Sequence, residues 1–359
     1  MAADAQPVAR LLNRPSGFIL VATLWLLVLL TLAASYLAAW TTEATADAWR
    51  EQQAWQASLE IHGTQAAVLY LLGTRRLNVA GLARDWAEQE PINMDEFGGM
   101  SLAPTGNDLA LDDRPYRGLG EAVFSIQDEG GLVGLTRPDH TQVGQLLGLL
   151  GVPAEQRGPL IAKLEDYADV DDLTRLNGAE ARQYEEHQLP APPNRELLTS
   201  WETRTVLDWS DYPGLWRQQR LPRLTTARLM GLPNPNTAPL LNLQTITGVE
   251  AETANRIVAG RPYLSLAALN FAIGVILPVD ELSFRFLSLS YLRLTLSHPA
   301  WPGRREVRIR FTPLQKPQPW WIDYVLDLPV DDAPDLPDPT PVASPVFATA
   351  PAVSLKPPR

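Results

Sequence analysis

Five carboxylates, Asp166, Asp169, Asp171, Asp172 and Glu180, fall within 15 residues of one another. Carboxylates this dense repel unless a cation lies among them, and Ca2+ takes roughly six to eight oxygens from flexible loops. The spacing is not that of an EF-hand, because the required glycine and the closing glutamate do not line up. A solvated acidic loop with Asp172 capping a turn fits the same residues, and the sequence leaves both readings open. Other chemistry is sparse. There is no cysteine, which removes thiol catalysis, thiolate metal sites and disulfides. The four histidines (His62, His140, His187, His298) are far apart and lack ligand spacing. Ser200 and Ser210 have no nucleophile-elbow context, and no glycine-rich phosphate loop occurs. An enzyme is not expected.

The elements that hold these residues begin with an apolar run. Gly17 to Trp40 is 24 residues without a charge, long enough to cross a bilayer as a helix. Arg10 and Arg14 precede it with only Asp4 opposing them, and Glu43 and Asp47 follow. The positive-inside rule puts the leader in the cytoplasm and the remainder outside, which for a bacterial protein is the periplasm. The expected location is the inner membrane, single pass. The run fits a secretory signal peptide cut near Ala33-Ala34 or Ala38-Ala39, a plain signal anchor, or a pilin-type segment beginning at Gly17-Phe18. A net charge of −11 argues against a nucleic-acid partner, since phosphate attraction needs surplus Lys and Arg.

Beyond Thr41, Ala44, Ala48, Trp49, Trp55, Leu59, Ala66, Leu69 and Leu72 recur near helical spacing. This predicts one long helix from about Phe18 to about Leu72, or two helices hinged near Thr41-Thr42. Residues 73–115 are loop-rich. Gly120–Gln127 alternates over Ala122, Phe124 and Ile126 and reads as a strand ended by Asp128-Glu-Gly-Gly131. Residues 132–280 read as helical, with helices around Val143–Leu150 and Pro159–Tyr167, a short one over Thr199–Trp209, and two joined by a turn within Leu241–Leu269. Strands return after Pro278, over Phe284–Leu294, Glu306–Phe311 and Trp320–Leu326. The last 31 residues hold nine prolines and four aspartates, a composition that predicts a disordered tail.

A set of motifs in fixed order narrows this. Asp166-Tyr-Ala-Asp169-Val-Asp171-Asp172…Asn177-Gly178-Ala179-Glu180…Tyr184 resembles the Asp-Trp-x-Asp-x-Asp-Asp…Asn-Gly-Ala-Glu…Tyr segment of the type II secretion minor pseudopilin K (GspK) family. Asn194-Arg-Glu-Leu197, Asp128-Glu129-Gly130-Gly131, Leu241-Asn242-Leu-Gln-Thr245 and Arg261-Pro262-Tyr263-Leu-Ser265 resemble further segments of that family. Each is weak alone; the ordered set, from about Arg14 to Leu326, is specific. Tyr167 stands where the family usually has Trp, which keeps an aromatic anchor.

The resemblance implies an α+β fold: a pilin-like N-terminal helix, its first half transmembrane, packed on a small antiparallel sheet, with a large all-α insertion containing a helix-hairpin-helix-like (SAM-like) module. The implied divisions are a leader 1–17, a transmembrane half-helix 18–40, a periplasmic half-helix 41–72, a head from 73–131 and 281–328, an insertion 132–280 and a tail 329–359. Prepilin peptidase would cut between Gly17 and Phe18 and methylate the new amine. Ala22 occupies the fifth mature position, where most pilins carry a Glu that pairs with a neighbour's N-terminus; K-type subunits lack it and are placed at the fibre tip. Calcium held by Asp166, Asp169, Asp171, Asp172 and Glu180 is the implied cofactor. The implied partners are the I-type and J-type minor pseudopilins, the major pseudopilin, prepilin peptidase and the inner-membrane assembly platform, with the outer-membrane secretin or cargo as further candidates. The function so implied is to start or cap a periplasmic pseudopilus for protein export. A single-pass anchored periplasmic binding protein unrelated to secretion is the alternative. The helix-hairpin-helix resemblance does not imply DNA binding, because Gly248 is followed by Glu250 and Glu252 where phosphate would sit.

Overall fold

The structure is a computed structural model that describes residues 18–83, 102–228, 231–288, 291–301, 303–312, 319–329, 340–344 and 346–347. The chain divides into two compact units, Met1–Gln56 and Ala57–Arg359. Helix α1 (Phe18–Thr74) begins in the first and ends in the second. It is unbroken at Thr41-Thr42, so the continuous form is the one observed and the hinge is not. In the first unit, residues 19–40 are exposed throughout and form a helix long and apolar enough to cross a membrane. Its hydroxyls are turned inward: Thr23 donates to the Leu20 carbonyl (2.9 Å) and Ser35 to that of Thr31 (2.7 Å). Such back-bonding is what makes Ser and Thr tolerable in an apolar helix.

In the second unit, α1 buries Ala57, Ile61, Thr64, Val68 and Leu72, a one-face helical spacing. That face meets a five-stranded antiparallel sheet of β1 (Tyr116–Arg117), β2 (Val123–Asp128), β3 (Tyr291–Ser297), β4 (Arg304–Phe311) and β5 (Trp320–Leu328). Neighbours in the sheet follow chain order. Phe124 lies opposite Leu296, and Leu294 lies between Ile126 and Val307, so successive strands put the same parity of residue toward α1. Ile61, Val68 and Leu72 share one core with Phe124, Ile126, Leu294 and Val307. The loop between β1 and β2 is tied to α1 where Leu119 N donates to Thr64 Oγ1 (3.0 Å) and Glu121 N to Glu60 Oε2 (2.8 Å). Gly120 is required there: its φ is +56°, and a Cβ would lie 2.2 Å from the Glu60 carboxylate.

The helical insertion occupies the connection from β2 to β3. Helices α2 (His140–Leu149), α3 (Ala154–Ala168) and α4 (Ala181–Glu186) build one core with Trp209, which is wholly buried and donates to the Leu160 carbonyl (3.0 Å). Asp139 caps α2 by accepting from Thr141 N and Gln142 N. A second core gathers Leu243, Ile257 and Leu269 from α5 (Leu240–Leu243), α6 (Ala251–Ala259) and α7 (Leu266–Ile273).

Three expectations change. Thr199–Trp209 is not an α-helix but two 3₁₀ turns, Ser200–Thr205 and Trp209–Asp211, separated where Asp208 enters the left-handed region at φ +68°. Residues 284–288 are not a strand, because Phe284 is buried in the second helical core; strand β3 starts at Tyr291. The segment read as a disordered tail contains residues that pack. Arg117 N donates to the Val342 carbonyl (3.0 Å), Val342 N to that of Pro115 (2.9 Å), and the Phe347 ring meets Phe124 edge-on at 5.7 Å. Average composition hid a short apolar stretch that covers the β1 edge of the sheet.

Candidate metal centre

Helix α3 ends on the acidic cluster. Asp166 lies in its last turn, 0% exposed, and Asp169 is its C-cap. The chain returns through a turn closed by Gly178 N donating to the Arg175 carbonyl (2.9 Å), and Glu180 then starts α4 as its N-cap. Oxygens of Asp166, Asp169 and Glu180 come within 4.8 Å of one another. Gly178 makes the approach possible, since a Cβ there would sit 1.9 Å from Asp166 Oδ2.

Hydrogen bonding within the cluster is uneven. Asp166 Oδ1 accepts from Arg175 Nη1 (2.7 Å), Asp166 Oδ2 from Arg175 N (3.0 Å), and Asp169 Oδ2 also accepts from Arg175 Nη1. Glu180 is 4% exposed, yet neither carboxylate oxygen has a hydrogen-bond partner, nor does Asp169 Oδ1. Glu180 N donates to Gln183 Oε1 (3.0 Å) at the start of α4. Burial first, and then the charges of Asp166, Asp169, Asp172 and Asp171, push the Glu180 carboxyl up to about 7. An unpaired buried carboxylate beside two others is a donor set that suits a hard divalent cation.

Asp171 and Asp172 do not join this group. Asp171 Oδ1 accepts from Leu173 N (2.9 Å) and Asp172 Oδ1 from Asn194 Nδ2 (2.8 Å), so both shape the loop. The turn-capping role expected of Asp172 belongs to Asp171. Gly17 lies outside the described residues, as do the leader and most of the tail. Phe18 is the first residue of α1, and Ala22 is exposed on it.

A second charged cluster escaped the sequence reading. Glu129, 1% exposed, accepts at Oε2 from Arg308 Nη2 (2.7 Å) and Thr226 Oγ1 (2.9 Å). Arg293 lies 3.7 Å from both Glu129 and Glu306, and donates to the carbonyls of Pro222 (2.7 Å) and Thr225 (2.9 Å). Arg293 and Arg308 stand on β3 and β4, opposite each other and on the face away from α1. Beside them Asp128 accepts from Asn234 Nδ2 and Thr237 Oγ1 (both 2.9 Å), and burial raises its pKa. These bonds join the insertion to the sheet. A cavity of about 190 Å³ opens on the same face, lined in part by Asp113, Arg223 and Arg293. Its charges are already engaged, with Arg223 Nη2 on Asp113 Oδ2 at 2.7 Å.

Residues 134–264 match the family model described as type II secretion system (T2SS), protein K. No curated protein matches the chain. Among solved structures, a chain of the GspK–GspI–GspJ complex from the enterotoxigenic Escherichia coli type 2 secretion system is similar at 17% identity, over 79% of this chain and 99% of its own, with a TM-score of 0.45. The family match covers the candidate metal-centre motif and helices α5 and α6, inside the connection from β2 to β3 of the antiparallel sheet. On that match, and on the ordered motifs that lie within it, residues 134–264 are similar to the type II secretion system protein K family.

Proposed function

We propose that this protein is a K-type minor pseudopilin that starts or caps the periplasmic pseudopilus, held in the inner membrane by the first half of α1 until assembly, with the rest of the chain in the periplasm. The protein K match on an insertion carried by a pilin-like head is the observation that supports the reading most. Ala22 adds to it. A repeating subunit needs a carboxylate near that position to neutralise a neighbour's buried ammonium, whereas a subunit with nothing above it has no such neighbour. The role is one of assembly rather than catalysis. By analogy with the GspK–GspI–GspJ complex, the partners are I-type and J-type minor pseudopilins. Co-expressed with those two subunits from the same genome, the tagged protein should purify as a ternary complex from detergent. Recovery of this chain alone under conditions where the other two pair would sink the reading.

Calcium at Asp166, Asp169 and Glu180 is part of the proposal, supported by the three unpaired buried oxygens. There it would neutralise the carboxylates and fix the end of α3 to the start of α4. The folded-state Glu180 carboxyl titrates above its ordinary value of 4.5, so without a divalent ion the native state holds more protons than the unfolded chain between that value and about 7. Its stabilising contribution is therefore present at low pH and lost as the pH rises through about 7. The Tm in chelator should fall between pH 5 and pH 8, and millimolar CaCl2 should raise it most at the upper end. An unchanged Tm on chelation at pH 8 would end the calcium proposal.

A further inference from the structure

Arg175 holds the position that a metal ion would need. Its Nη1 bridges Asp166 and Asp169, two of the three converging carboxylates, while the third, Glu180, is left without a donor. The cluster thus has three carboxylates and one guanidinium. The Arg175 side chain is also 42% exposed, unlike the wholly buried Asp166, and its Nε lies 3.5 Å from Glu165 Oε2 at the rim. An alternative acceptor and open solvent are both within reach of a side-chain rotation. The backbone need not move, because Arg175 N keeps its own bond to Asp166 Oδ2.

We propose that Arg175 is a built-in counter-ion for this site, and that a divalent cation enters by displacing its guanidinium from Asp166 and Asp169. The inference rests on the calcium reading above. Two charges at the point where three carboxylates converge attract more strongly than one, and a cation there would also meet the Glu180 oxygens that the guanidinium does not satisfy. The arginine therefore lowers metal affinity while preserving the metal-free fold. A residue that only braced the loop would strengthen metal binding by its presence.

The test titrates CaCl2 into the full-length protein in detergent, with calorimetry as the readout, for wild type, Arg175→Gln and Arg175→Lys. Removing a competing charge-assisted bond should tighten calcium binding by about tenfold to a hundredfold in Arg175→Gln, with Arg175→Lys between it and wild type. The Tm of Arg175→Gln in chelator should fall below that of wild type. In the unmutated protein, phenylglyoxal labelling of Arg175, read by peptide mass mapping, should rise when calcium is added. Equal or weaker calcium binding by Arg175→Gln, or labelling that calcium leaves unchanged, would overturn the counter-ion role while leaving the metal site standing. No calcium binding by any of the three proteins would remove both.

Discussion

Replacing Glu129 by alanine should cost about 3–5 kcal/mol of stability, the usual penalty for deleting one partner of a buried ion pair. The carboxylate is almost wholly buried and is the acceptor for Arg308 Nη2. Without it, Arg308 would lose its carboxylate acceptor on the covered face of the sheet, and Arg293 would keep Glu306 at 3.7 Å. Tyr324 also donates to Glu306 Oε1 (2.8 Å). Because Glu129 also receives Thr226, the loss falls on the join between the sheet and the insertion. A drop of this size shifts the Tm by roughly 2–4 °C per kcal/mol in a domain of such length. Thermal melts in detergent followed by circular dichroism would read it. Glu129→Gln keeps an acceptor for Thr226 and should lose less. A fall of under about 1 kcal/mol for the alanine variant would mean that the cluster is solvated and that the join is made elsewhere.

This cluster also marks where sequence reasoning stopped. Val307, Ile309 and Phe311 alternate cleanly, so β4 was legible, and so was its apolar face. Residues of the other parity, Glu306 and Arg308, would face solvent in a sheet covered on one side. The insertion covers that second side, and alternation carries no signal of a partner so distant in sequence. The acidic motif was more transparent. Asp166, Asp169 and Glu180 lie together because α3 ends and α4 begins on the same point, while Asp171 and Asp172, of the same motif, do not join them. Arg175 was visible within the motif, but only the folded turn brings its guanidinium onto two of the carboxylates. Phe284 and Val342 were misjudged for a shared reason: short apolar stretches take their structure from what they pack against, here a helical core and a sheet edge.

The largest effect expected of any feature is at the N-terminus, where the change is all or none. A pilin-type reading requires that Gly17-Phe18 be cut on the cytoplasmic side, leaving α1 to start at Phe18 with a free, then methylated, amine. The apolar half of α1 would remain on the mature protein, unlike a signal peptide. With alanine at position 22, this helix offers no carboxylate to a neighbour's amine, which suits the first subunit of a fibre. The most direct measurement is the intact mass and N-terminal sequence of the protein from cells with and without prepilin peptidase. The account predicts a chain beginning at methylated Phe18 when the peptidase is present and an uncut chain when it is absent. A terminus at Met1 in both strains, or one created after Ala39, would contradict it.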